Sequence, residues 1–284
     1  MCATYQRAYV IHERGAMPLP RELDYLRPLV MADICRLGRN NDGGYIVPRS
    51  VLTLSEYLIS FGLSFDWSFE RAFKLQKPEI TIDAYDHSVS RSSVVLRAAK
   101  TIVKAAVFRT SPGHAVQVLR ETVEYFTTMH HFVRRVVPTK INETDITVEE
   151  VFSRAPRGKR IFLKIDIEGS EYDVIPHVLQ HGRDLTGMII EFHDTGRLRT
   201  KFKQCMEAIL EKFEIVHIHG NNWSGVSVDG LPDVLELTFV NKAYCPAFAP
   251  RREALPLEID QPNHPDRPDF SIKFHPESTN TSIA

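Results

Sequence analysis

Two apolar runs, 213–218 and 234–240, close the patterned part of this 284-residue chain, and no helix fits between them. A parallel pair of strands needs a crossover of about a dozen or more residues, usually helical, so this pair is predicted to form an antiparallel hairpin. Upstream, short apolar runs alternate with helical stretches, the mark of a mainly parallel sheet covered on both faces. Together these predict an α/β fold, a mainly parallel seven-stranded sheet with an antiparallel last strand and helices on both faces.

The other strands are expected at 57–61, 79–85, 131–137, 161–167 and 187–192. Helices are expected at 68–75, 170–180 around Pro176, and 200–212, the last from the spacing of Phe202, Met206, Ile209 and Leu210. Thr147 followed three residues later by Glu150 reads as a capping box opening a short helix to Arg154. The stretch from about 93 to 128 is mostly helical, broken at Ser111-Pro112-Gly113, and longer than an ordinary crossover, so it reads as an insertion. Residues 1–50 form a cap or lead-in ending in a tight Asp42-Gly-Gly turn, 51–245 the main domain, and 246–284 a proline-rich extended surface tail.

Charge and cysteine content exclude several classes. Lys plus Arg number 35 against 36 Asp plus Glu, so no nucleic-acid footprint is expected. The four cysteines make no CxxC pair, which speaks against a zinc ribbon or a disulfide framework. Glu13, Glu22, Asp24 and three prolines interrupt the first thirty residues where a signal peptide would need an apolar core, and no run is long enough for a membrane span. A cytoplasmic protein is the expectation.

Ligands of open parallel sheets bind beyond the carboxyl ends of the strands, where strand order reverses. The first strand ends in Ser60-Phe61-Gly62, where glycine would let a cofactor approach the backbone. Asp86 ends the second strand, roughly 20–25 residues on, where an acid accepts hydrogen bonds from a ribose diol. The run Ile161-Phe-Leu-Lys164-Ile-Asp166-Ile-Glu168-Gly169-Ser-Glu171 sets charges of one parity into a central strand, which is costly unless they are paired or used. The next two strands end in Glu191-Phe-His193-Asp194 and His217-Ile-His219-Gly-Asn221-Asn222. Convergence of carboxylate, imidazole and amide groups on one edge marks a candidate site.

The segment 162–171 resembles the signature of FkbM-type methyltransferases, and Ser60-Phe-Gly62, Asp86, Glu191-Phe-His193 and His219-Gly-Asn-Asn222 resemble a branch of that family. The resemblance runs from about Arg36 to Val240 and reaches the Asp260-Gln-Pro-Asn263 tail. One departure is the turn Ser60-Phe-Gly62-Leu-Ser64, which lacks the acid and additional glycines common there. The resemblance implies a Rossmann-like fold of class I, S-adenosylmethionine as cofactor, and a methyl acceptor hydroxyl on a sugar, glycan, lipid or secondary metabolite.

On this reading Ser60, Phe61, Gly62, Asp86, Asp166 and Glu168 hold the cofactor, and Lys164, Glu191 and His193 serve catalysis. His193 is the preferred base because an unperturbed imidazole titrates near neutrality. The alternative to metal-free catalysis is a divalent ion on Asp166, Glu191, His193 and His219. Two other classes compete: a nicotinamide-dependent oxidoreductase, against which the missing glycine-rich fingerprint argues, and a catalytically silent binding module on the same fold.

Overall fold

In the computed structural model the described residues are 18–245 and 249–276. Seven strands form the central sheet: β1 (Tyr57–Phe61), β2 (Thr81–Tyr85), β3 (His130–Phe132), β4 (Ile161–Ile165), β5 (Leu185–Phe192), β6 (Phe213–Gly220) and β7 (Leu235–Asn241). Their order is β6-β7-β5-β4-β1-β2-β3. β7 runs antiparallel to both β6 and β5, while β5, β4, β1, β2 and β3 are mutually parallel. The helix-free link after β6 thus produces the predicted antiparallel last strand on an otherwise parallel seven-stranded sheet.

Alternation along the strands divides the core into two layers. Ile161, Leu163 and Ile165 point to one face with Met188 and Ile190, where α4 (Val148–Arg154), α5 (Glu171–Val178) and α6 (Arg199–Leu210) cover them. Leu58, Ile82, Phe162 and Ile189 point to the other. That side is covered by a hairpin of Ile34–Leu37 and Tyr45–Pro48, a short helix Arg49–Leu54, and α1 (Ser68–Gln76). The helical stretch after β2 becomes α2 (Arg91–Ala106) and α3 (Pro112–Thr128), packed on each other. Their starts follow the sequence chemistry. Ser90 and Ser93 form a capping box, and Ser111 caps α3 with Pro112 in its first turn.

The Thr147–Glu150 capping box forms as its spacing predicts. Pro176 removes the amide that would bond to the Tyr172 carbonyl in α5, and Cys205 Sγ donates to that carbonyl instead, at 3.8 Å.

Two expectations change. The strand expected over 131–137 is split: β3 stops at Phe132, and Arg135–Val137 pairs in parallel with Asp145–Thr147 in a separate small sheet. An Arg135–Asp145 ion pair of 3.0 Å holds that second sheet. The described residues of the tail, which was expected on the surface, form no helix or strand but insert anchors: Leu255 and Ile272 bridge each other and are 2% and 1% exposed, and Asn263 is 2% exposed. Besides these backbone bridges, side chains of the tail bond to the last two strands. Asp260 meets His217 at 3.0 Å, Asp269 meets His219 at 3.0 Å, and Asn263 donates to Glu236 at 2.6 Å. No helix among the described residues is long and apolar enough to cross a membrane.

Candidate active site

β1 and β4 are sheet neighbours, yet the chain leaves β1 toward β2 and returns to β4 on its other side. Strand order reverses there, and beyond the carboxyl ends opens a crevice of about 610 Å3. That volume lies within the range of small-molecule sites. Its wall comes from Arg39, Asp42 and Tyr45 of the N-terminal hairpin, residues 63–66 after β1, the ends of β4 and β5, and Asn221 and Trp223 after β6.

Lys164, Asp166, Glu168, Glu191 and His193 all line this crevice, as the strand-end argument anticipates. Ligand atoms of Asp166, Glu191 and His193 lie within 4.8 Å of one another. Glu191 is 5% exposed. It accepts hydrogen bonds from Asn221 Nδ2 at 2.9 Å and from the Tyr45 hydroxyl at 3.0 Å, and the same hydroxyl lies 3.2 Å from Asp166. Burial, and then repulsion from Asp166 and from Glu236, its cross-strand partner, pushes the Glu191 carboxyl well above the usual range. Burial also lifts the Tyr45 hydroxyl, and the neighbouring carboxylates raise it further.

His193 donates through Nδ1 to the buried Glu171 at 2.9 Å, while Nε2 lies 3.4 Å from the exposed Glu168. Burial alone would lower its pKa. The Glu171 hydrogen bond and the surrounding carboxylates win and raise it to about 9. The imidazole is therefore protonated at neutral pH, a correction to the choice of His193 on the ground of an unperturbed pKa. Lys164 donates to the Gly62 carbonyl at 2.9 Å and sits 3.6 Å from Asp166. Burial opposes its charge, but Asp166, Glu70 and Glu191 together raise its pKa, so it is an ammonium and not a base.

The expected cofactor turn is arranged differently. Ser60 and Phe61 are fully buried and do not line the crevice: Ser60 donates to Glu70 at 2.6 Å, and Phe61 packs edge-on against Tyr85. Gly62 is required, with φ +81°, because a Cβ there would stand 1.7 Å from the Asp166 carbonyl oxygen. Its missing side chain admits neighbouring backbone, not a ligand. Asp86 uses its carboxylate on its own chain, accepting from Leu63 N at 2.8 Å, Ser64 N at 2.7 Å, and Ser88 N and Oγ at 2.6 Å. Burial would raise its pKa, but these bonds outweigh it and lower it. Asp86 fixes the turn that shapes the crevice wall. His219 stands outside the wall, clamped between Glu236 at 3.2 Å and Asp269 at 3.0 Å, and is not grouped with Asp166, Glu191 and His193, the other members of the anticipated metal set.

Tyr45, Glu171 and Glu70 were not singled out from sequence. Tyr45 sits beside the Asp-Gly-Gly turn, read only as a turn. Glu171 closes the 162–171 motif as the first residue of α5, and its burial carries no signal in the spacing. For Asp86, the flanking Asp86-His-Ser88 pattern is an Asx-turn signal that indicated a self-bonded carboxylate.

No family model and no curated protein matches this chain. Solved structures do. A fibrillarin pre-rRNA processing protein of Methanococcus jannaschii aligns with 8% identity and a TM-score of 0.36, over 67% of this chain and 68% of its own. A precorrin-6y C5,15-methyltransferase from Geobacter metallireducens aligns with 11% identity and a TM-score of 0.34, over 68% and 87%. The plantazolicin methyltransferase BpumL in complex with SAH aligns with 9% identity and a TM-score of 0.34, over 68% and 80%.

Proposed function

We propose that the chain is an S-adenosylmethionine-dependent O-methyltransferase whose acceptor is a hydroxyl on a sugar, glycan, lipid or secondary metabolite. The observation that carries this reading is position: the reversal point between β1 and β4 opens onto a crevice where Asp166, Glu191 and His193 converge. The donor set fits a zwitterionic nucleoside cofactor, since both signs of charge line one wall, with Arg39 and Lys164 among Asp66, Asp166 and Glu168. Bound there, S-adenosylmethionine supplies a methyl group made electrophilic by its sulfonium. The FkbM-type resemblance of 162–171 supports the same reading.

Asp166, Glu168 and Asp66 are the lining acids available to a ribose or an α-amino group, with Asp86 engaged elsewhere. Lys164 offers its ammonium to a carboxylate. Glu171 fixes the His193 tautomer so that Nε2 faces the crevice, where it accepts the acceptor hydroxyl proton once its own has left. Catalysis then consists of aligning the oxygen and removing its proton. The lead-in is part of the reacting unit through Tyr45, which bridges Asp166 and Glu191.

Thermal unfolding with S-adenosylhomocysteine and, separately, with NAD tests the reading, because a true ligand at 100 times its Kd adds about 2.7 kcal/mol. Stabilisation by NAD alone would favour the oxidoreductase. Stabilisation by S-adenosylhomocysteine without turnover on any hydroxylated acceptor would favour the silent binding module. His193→Ala is expected to lower kcat by about 10²–10⁴ with folding intact, and an unchanged kcat removes His193 from the base role.

A second reading is favoured by the mutual approach of Asp166, Glu191 and His193 within 4.8 Å. Carboxylate and imidazole suit a divalent ion, whose chemistry would be to acidify the acceptor hydroxyl. Activity that survives exhaustive chelation excludes it, and loss restored by Mg2+ or Mn2+ establishes it.

A further inference from the structure

We propose that the α2–α3 hairpin is a docking surface for an anionic lipid membrane. Ten of the seventeen large apolar side chains exposed among the described residues fall between Val95 and Phe126. On α2 only Val94 and Ala98 are buried. At about 100° per residue, Val95, Leu96, Ile102 and Val103 occupy a single outward arc that Lys100 and Lys104 border. α3 repeats the pattern with Val116, Leu119, Val123 and Phe126 at intervals of three, four and three, all exposed, while Ala115, Val118 and Tyr125 face inward. Two neighbouring helices thus each bury one face and present a second apolar face to solvent. Patches of that kind mark interaction sites.

The tip of the hairpin strengthens the case. Phe108 is 95% exposed and holds φ +55°, a left-handed conformation that a bulky residue rarely adopts. Its ring projects between Val107 and Arg109, gaining nothing from the protein's own core.

Charge identifies the occupant. Residues 91–109 contain Arg91, Arg97, Lys100, Lys104 and Arg109 and no acid, in a chain whose net charge is −1. The acids of α3 are engaged: Glu121 with Arg97 at 3.5 Å, and Glu124 with Arg71 at 2.7 Å and Arg120 at 2.9 Å. Exposed aliphatic and aromatic residues bordered by lysine and arginine are the composition of a helix lying in a membrane interface, attracted by anionic headgroups. A second copy of the same face would oppose cations to cations, which disfavours self-association. Arg97 and Phe65 connect the base of the hairpin to the crevice wall, so a docked surface would lie beside the crevice.

The inference rests on this surface alone and not on the proposed reaction, and its test needs neither cofactor nor turnover. Co-sedimentation of the full chain is measured with vesicles of pure phosphatidylcholine and with vesicles containing about one-third phosphatidylserine. Binding is expected to the anionic vesicles, weakening as salt is raised. Lys100→Glu with Lys104→Glu should weaken it about thirtyfold. Phe108→Ser should weaken it about tenfold, with the thermal midpoint unchanged. Equal partitioning onto neutral and anionic vesicles, no binding at low salt, or wild-type binding by both variants would overturn the proposal. So would a concentration-dependent dimer abolished by Val103→Glu, which would assign the face to a second copy.

Discussion

Two polar clusters sit side by side at the carboxyl edge of the sheet and handle charge in opposite ways. At the ends of β1 and β2, Asp86 meets donors from Leu63, Ser64 and Ser88, and its carboxyl is held below its usual range. At the ends of β4 and β5, Glu191 faces Asp166 and Glu236, and its carboxyl is driven up. The first cluster is satisfied by its own backbone and builds a turn. The second concentrates like charge in a buried place, a cost that folding alone does not explain and that a cationic or proton-exchanging ligand would relieve. A carboxylate held by its own backbone therefore marks structure at this edge, and carboxylates crowded against one another mark the site.

Gly62 joins the two clusters, and the largest effect is expected there. Gly62→Ala would set a Cβ 1.7 Å from the Asp166 carbonyl oxygen on a backbone with φ +81°. Since the obstacle is backbone, the strand ends must separate, and a loss of about 4 kcal/mol in denaturant unfolding is expected. A loss below about 1 kcal/mol would mean that the two clusters are not rigidly coupled.

His219, beside the second cluster, shows a buried imidazole clamped directly between two carboxylates. The hydrogen bonds and charges of Asp269 and Glu236 overcome burial and raise its pKa to about 10. A folded pKa above the unfolded value of about 6.5 gives a contribution complete below that value and lost as pH climbs toward the folded one. A loss of a few kcal/mol is expected between these limits, and it should be absent from the pH–stability curve of His219→Gln. A wild type and variant that fall in parallel over this window would show that Glu236 is not neutralised by His219, and the contrast with Glu191 would weaken.

The comparison is most exposed to a paired substitution. Asp86→Asn should cost about 2 kcal/mol, because backbone amides lose a charged acceptor. Glu191→Gln keeps shape and the Asn221 contact while removing repulsion, so stability should be unchanged or rise by up to about 1 kcal/mol, with turnover falling. Equal destabilisation by both would erase the distinction between structure and site.

Much of this was legible in the sequence, and the remainder has a physical reason. β1 was placed to the residue by its apolar run, and the antiparallel β7 followed from a missing helix. Lys164, Asp166, Glu191 and His193 line the crevice because side-chain parity and strand direction decide which groups reach an edge. Sequence could not tell which group takes which lone pair. Asp86 was placed correctly at a strand end, yet whether it faces ligand or backbone depends on how the chain turns at Ser64 and Ser88. Tyr45 was missed because its partners lie 121 and 146 residues downstream, and only the folding of the N-terminal hairpin over the sheet brings them together.

The smallest effect tests the boundary between the clusters. Asp66 lines the crevice wall, yet it also accepts from Ser68 N at 3.0 Å at the start of α1 and pairs with Arg39 at 2.9 Å. Arg39 is 55% exposed in its side chain, so that ion pair adds little and the turn bond to the Ser68 amide contributes most. Asp66→Ala should therefore cost about 1 kcal/mol, and Asp66→Asn, which keeps the accepting oxygen, about half of that. If Asp66 belongs to the self-satisfied class, both variants retain cofactor affinity once stability is restored by cooling. If it belongs to the site, Asp66→Asn loses affinity while remaining nearly as stable as wild type, and the line between the two clusters moves across the β1 turn to include it.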